Sequence, residues 1–167
     1  MIIRQAKITE LDQIMNMYNS CVNGMLKLKI DQWDSTYPNI DVISQDLNSG
    51  TYFIALIKNE IIAGINIDQM QDKTYLSIRW NDTENKFLVV HRLGVKEEYW
   101  SQGIGRILME FVEKMVKDKK LNSIRLDTYI SNKKAINFYI NLGYKKLGTI
   151  FLKPNKNEYY CFEKQIS

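Results

Sequence analysis

Apolar residues along the chain recur with two periods. Leu11, Ile14, Met15, Tyr18 and Val22 return every three or four positions behind Thr9-Glu10-Leu11-Asp12. That spacing predicts a helix with Thr9 as its N-cap, acids in its first turn, and Asn23-Gly24 as its end. Ile40, Ile43 and Leu47 mark a shorter helix that stops by Gly50. Ile104, Ile107, Leu108, Phe111, Val112 and Met115 mark a third, which Leu121-Asn122 ends. Ala135, Ile136, Phe138, Tyr139 and Leu142 mark a fourth, capped by Asn132 or Ser131 and closed by Gly143. Between these lie short runs rich in β-branched and aromatic residues, which predict strands at 2–7, 52–57, 61–67, 75–80, 87–95, 123–129, 144–152 and 158–165. Lys58-Asn59-Glu60 reads as a hairpin turn, Gly64 as a bulge, and Pro154-Asn155 as the turn joining the last two strands. Residues 27–39 read as an irregular stretch carrying Trp33 and Tyr37. No internal repeat, linker or low-complexity segment interrupts the pattern, so one domain spanning residues 1–167 is expected.

Composition narrows this little. A hydrophobic share of 45% against 25% charged residues is that of an ordinary globular protein. The longest apolar runs are about five residues, against the ~20 a membrane helix needs, so no membrane association is expected. The N-terminus lacks the layout of a signal peptide, and Cys21 and Cys161 are too few for a disulfide framework or zinc site. These observations read as a cytoplasmic protein. Charge changes the picture more. Residues 1–85 hold 7 Lys/Arg against 11 Asp/Glu, whereas residues 86–167 hold 16 against 8. The basic half would suit a polyanionic ligand. Nucleic acid is the rival partner for such charge, but no basic stripe with interleaved aromatics supports it.

The candidate chemistry sits in that basic half. The strand at 87–95 is followed by Ser101-Gln102-Gly103-Ile104-Gly105 and then directly by the third helix. Glycines let the backbone approach an anion, and the first helical turn directs unpaired N–H groups and a partial positive charge at it. No Gly-Lys-Ser/Thr is present, and Leu108 stands where a dinucleotide fingerprint needs its third glycine. The stretch resembles instead the pyrophosphate loop of the GNAT superfamily of acyl-CoA-dependent N-acyltransferases. That pattern is Arg/Gln-x-x-Gly-x-Gly/Ala after a strand ending in a small apolar triplet, here Leu93-Gly94-Val95. Trp100 occupies the Arg/Gln position. A second segment, Asn132-x-x-Ala135-x-x-Phe138-Tyr139-x-x-x-Gly143-Tyr144, is similar to another motif of that family, and the element order matches over essentially the full length.

The resemblance implies an α/β (α+β) fold, a mixed and mostly antiparallel sheet of about six or seven strands flanked by about four helices. It implies transfer of an acetyl group from acetyl-CoA to a primary amine, by direct attack and with no metal. Such a reaction must orient the thioester beside its attacker, which alone can supply about 7–11 kcal/mol. The amine, with a pKa near about 10.4, must lose its proton, and the leaving thiolate must gain one. The family pattern implies main-chain contacts to the pantetheine arm at Leu93 and Val95, with Gly94 between them. Ser101, Gln102, Gly103, Ile104, Gly105 and Arg106 would surround the diphosphate. Asn132, Ala135 and Phe138 would border the arm, and Tyr139 would be the acid as well as a cofactor contact. His91, the only histidine, is the candidate base, placed by strand alternation on the face of Leu93. Lys133, Lys134, Glu97 and Glu98 read as solvated. Trp33, Tyr37 and Trp80, with the negative balance of the first half, would favour a cationic, partly apolar acceptor, either a small-molecule or a peptide amine. A homodimer is the assembly allowed for. A module that holds coenzyme A without turnover is the competing reading.

Overall fold

The computed structural model describes residues 1–152 and 157–166. In chain order the elements are β1 (Ile2–Gln5), α1 (Leu11–Lys27), α2 (Ile40–Asn48), β2 (Tyr52–Ile57), β3 (Glu60–Asp68), β4 (Phe87–Val95), α3 (Ile104–Asp118), β5 (Ser123–Tyr129), α4 (Lys133–Asn141), β6 (Lys145–Leu152) and β7 (Asn157–Gln165). The seven strands follow the order β1-β2-β3-β4-β5-β7-β6. β4 and β5 run parallel, whereas β1–β2, β2–β3, β5–β7 and β6–β7 are antiparallel. The expected mixed, mostly antiparallel sheet with four helices is therefore observed. The Pro154-Asn155 turn lies outside the described residues. Among those residues no helix is long and apolar enough to cross a membrane.

Tertiary contacts group the chain into two compact units, Met1–Ile67 with His91–Glu110, and Asp68–Val90 with Phe111–Ser167. In the first, α1 buries Ile14, Met17, Tyr18, Cys21 and Met25 in one cluster with Ile43 and Leu47 of α2 and Tyr52 and Ile54 of β2. Three local expectations are corrected there. Thr9 is not an N-cap; it lies inside a 3₁₀ turn, Ile8–Glu10, that precedes α1. Glu10 closes that turn by accepting the Lys7 N–H at 2.8 Å while pairing with Arg4. Gly24 does not end α1, which runs on to Lys27. A Cβ at Gly24 would meet the Trp100 ring at 2.6 Å, so the glycine answers to packing rather than to termination. The bulge lies in β3 as expected but at Ile62, not at Gly64: Ala55 and Leu56 of β2 pair with Ala63 and Ile61, which leaves Ile62 as the extra residue. Gly64 makes room for Tyr52, whose hydroxyl would stand 2.0 Å from an added Cβ. Tyr52 is fully buried and cannot swing out to solvent. Gly64→Ala is therefore expected to destabilise the fold by about 1–3 kcal/mol, the usual range for overpacking, as read by urea unfolding.

In the second unit β5 pairs with β7 along its whole length, from Ser123↔Gln165 to Tyr129↔Tyr159. The strand expected at 75–80 is absent. Asp72 accepts the Thr74 N–H at 2.8 Å and opens a 3₁₀ turn, Lys73–Ser77. Tyr75 then turns inward to donate to Asp127 at 2.6 Å, while Leu76 is left 79% exposed. An Asx cap at the start of the run thus overrides its β-like composition.

Candidate active site

The described ladder between β4 and β5 comprises Phe87↔Ser123, Leu88↔Ile124 and Val89↔Arg125, although β4 continues to Val95. From His91 onward β4 belongs to the first unit. Its backbone leaves the extended region at Arg92, where φ is +51°. A two-residue alternation requires extended backbone at every step, so the expected placement of His91 on the face of Leu93 does not carry across Arg92. Gly94 follows, with Tyr18 against it: a Cβ there would meet the Tyr18 ring at 2.8 Å.

Beyond β4, a 3₁₀ turn at Glu97–Tyr99 leads to Trp100. The Trp100 indole N–H donates to the Val95 carbonyl at 2.7 Å, and its ring packs on α1 at Gly24. The tryptophan that departs from the family pattern thus ties the turn to its own unit. Ser101 (φ +62°) and Gly103 (φ +81°) then reverse the chain. The first intrahelical bond of α3 is Ile107 N–H to Gly103 carbonyl at 3.1 Å, so the N–H groups of Ile104, Gly105 and Arg106 precede the helical ladder. Ser101, Gln102 and Gly103 are exposed, and nothing lies within 4 Å of the position a Gly103 Cβ would take. An exposed turn that leads into N–H groups preceding the helical ladder is what a diphosphate requires, so the residues present fit the group the motif implies. Ile104 is buried beneath the turn, Gly105 is half-buried, and Arg106 is exposed.

The second unit carries the other motif. Asn132, buried, accepts the Ala135 N–H at 3.0 Å and caps α4. Ala135 and Phe138 are half-buried, and Lys133 and Lys134 exposed. Tyr139 is buried, its ring 5.1 Å from Phe138, 5.8 Å from Tyr144 and 6.1 Å from Phe162. Burial, and secondarily the Asp127 carboxylate, push its hydroxyl pKa well above the ordinary phenol value. It is therefore a neutral O–H, able to donate.

The aromatics proposed for the acceptor fall in different places. Trp33 is buried edge-on against Tyr18 at 5.5 Å, and Tyr37 is half-buried with its hydroxyl 3.2 Å from Arg92 Nη1, both in the first unit. Trp80 is in the second unit, half-buried over the Arg125 guanidinium at 4.5 Å. His91 is half-buried. The sequence reading missed the residues gathered on Arg92, namely Tyr18, Asp46 and Tyr52, because a buried ion pair 46 positions apart leaves no local signature.

The glycine turn into α3 and the asparagine cap of α4 are the two places where the sequence resembles acyl-CoA-dependent acyltransferases. The chain matches the profile of the acetyltransferase (GNAT) family over residues 11–144. It belongs to that family, and is an acetyl-CoA-dependent N-acetyltransferase. Among relatives, it is 22% identical over 139 residues to the uncharacterized N-acetyltransferase YesJ of Bacillus subtilis, covering 82% of this chain and 74% of YesJ. Among solved structures, a GNAT-family acetyltransferase of Streptococcus agalactiae superposes with a TM-score of 0.83 at 22% identity, covering 99% of this chain and 95% of the other. The PaiA N-acetyltransferase of Thermoplasma acidophilum, solved with coenzyme A, superposes with a TM-score of 0.72 at 16% identity, covering 98% of each chain.

Proposed function

We propose that this chain, working as one domain, binds the acetyl-CoA diphosphate on the amides that follow Gly103, and that Tyr139 protonates the leaving group. The observation that carries this is the exposed, uncrowded Gly103 turn leading directly into N–H groups that precede the helical ladder. Acetyl-CoA, when bound, supplies an acetyl group activated by a thiolate leaving group. Ser101 and Gln102 shape the turn, Arg106 adds exposed positive charge, and Leu93, Gly94 and Val95 offer main-chain groups to the pantetheine arm. Asn132, Ala135 and Phe138 border the arm, Asn132 while it caps α4. Tyr139 holds its proton at the hydroxyl and delivers it to the thiolate. His91 accepts the amine proton, directly or through water.

The acceptor we infer is a cationic, partly apolar primary amine, drawn by the acidic balance of residues 1–85. Tyr37 and Trp80 would touch it, with Trp33 acting through its packing on Tyr18. A panel of small-molecule and peptide amines, read by coenzyme A release from acetyl-CoA, tests this. Turnover confined to cationic acceptors is expected, and turnover confined to anionic or neutral ones would overturn it. Coenzyme A binding with no turnover on any amine would favour a holding module. Gly103→Val, which both strains a left-handed residue and fills the open space, is expected to raise KM for acetyl-CoA by about tenfold or more.

A further inference from the structure

Among the described residues seven non-glycine residues have left-handed backbone, and of these Arg92 is the one inside a strand. The others occupy turns or strand and helix ends, where such a conformation is common. Inside a strand it persists only when the surroundings over-determine it. Three elements do so here. From α1, the Tyr18 hydroxyl donates to the Arg92 carbonyl at 2.5 Å. From β2, the Tyr52 hydroxyl donates in turn to Tyr18 at 2.9 Å, which leaves the Tyr18 proton directed at that carbonyl. From α2, Asp46 takes the guanidinium as a two-pronged fork, Nε and Nη2 each at 2.8 Å, and Tyr37 lies against Nη1. The pair is largely shielded, with side chains 14% and 10% exposed, so water competes weakly for it. Gly94 then lets the strand ride against the Tyr18 ring.

This arrangement fastens both the main chain and the side chain of one residue. A left-handed step rotates the peptide planes on either side of it, so whatever holds Arg92 also aims the main-chain groups at Leu93 and beyond. We propose that Tyr18, Asp46 and Arg92 are positioning residues for the acyl donor, locking the left-handed step in β4 on which the presentation of Leu93 and Val95 depends. The inference rests on the reading that coenzyme A is held along this strand.

A glycine substitution separates positioning from mere stability. Glycine adopts positive φ without steric cost, and removing Asp46 and Arg92 together leaves no buried charge unpaired. Calorimetric titration of coenzyme A into wild type, Tyr18→Phe, Asp46→Ala and the double variant Asp46→Ala/Arg92→Gly is the test, with thermal melting alongside. Asp46→Ala and Tyr18→Phe are expected to weaken binding by about tenfold. The double variant is expected to recover to within about threefold of wild type while its melting temperature stays low. Folded single variants that bind as wild type does, or a double variant as weak as Asp46→Ala, would overturn the proposal. If Asp46→Ala does not fold, Tyr18→Phe and the double variant decide by the same criteria. Wild-type protein that fails to bind coenzyme A would contradict the parent reading and take this inference with it; wild-type binding with unchanged variants would sink the positioning role alone.

Discussion

Tyr139→Phe is expected to lower kcat by about a hundredfold or more, the low end of what a positioned proton donor contributes, with KM for acetyl-CoA changed by less than about threefold. The separation follows from the environment. The ring packs on Phe138, Tyr144 and Phe162, contacts that phenylalanine keeps, so fold and donor binding should survive. Among the described residues no partner engages the Tyr139 hydroxyl, so its removal leaves no buried group unsatisfied. On the proposed role, what is lost is the proton that Tyr139 would deliver to the leaving sulfur. The direction of its pKa adds a pH signature. Because burial raises the hydroxyl above the ordinary phenol value, the donating form persists past pH ~10. Wild-type kcat should therefore show no alkaline fall owing to Tyr139. An equal rate in the phenylalanine variant, or a loss confined to KM, would remove the tyrosine from the chemistry.

Arg125→Met is expected to destabilise the protein by about 3–5 kcal/mol, the cost typical of breaking a buried ionic cluster from one side. Arg125 lies in β5, 2% exposed, between the rings of Phe87 at 3.8 Å and Trp80 at 4.5 Å. Its Nε reaches Glu163 at 3.4 Å, Nη2 the Asp82 carbonyl at 2.8 Å, and Nη1 Gln71 at 3.1 Å. Glu163, in β7, also accepts from Asn81 N–H at 2.6 Å and Ser123 Oγ at 3.0 Å. One guanidinium therefore ties residues 71–82 to two strands of the second unit. Methionine fills similar volume but leaves two carboxylates, Glu163 and Asp82, buried without their shared cation. Replacing Arg125 and Glu163 together with apolar residues should cost less than Arg125→Met alone, because fewer charges are stranded. Denaturant unfolding of the two variants compares these costs. A double variant at least as unstable as Arg125→Met would contradict coupling through the cluster.

What could be read from the chain before its fold was known follows from the range of the forces involved. The α2 helix, the β2–β3 hairpin, β4, β5 and α4 with its Asn132 cap are set by neighbours within a few positions, and each was legible. The two family motifs are equally local, which is why the turn at Gly103 and the helix carrying Tyr139 could be named. The misread places share a different property. Gly24 looked like a helix stop because its real constraint, the Trp100 ring, lies far along the chain. The run at 75–80 had strand-like residues, but Tyr75 answers to Asp127 in β5 and Trp80 donates to the Tyr75 carbonyl. Arg92 is the extreme case. Nothing near it in sequence announces a left-handed step, since the groups that hold it come from α1 and α2.

Main-chain amides at the start of α3 are proposed to bind the donor's diphosphate. Backbone amide resonances of Gly103, Ile104, Gly105 and Arg106, followed by NMR while coenzyme A is added, test this proposal most directly. These four are expected to shift together and saturate at one dissociation constant, with the amides of exposed α1 residues such as Asn16 and Asn23 unmoved. Saturable binding that leaves the four resonances in place would contradict it.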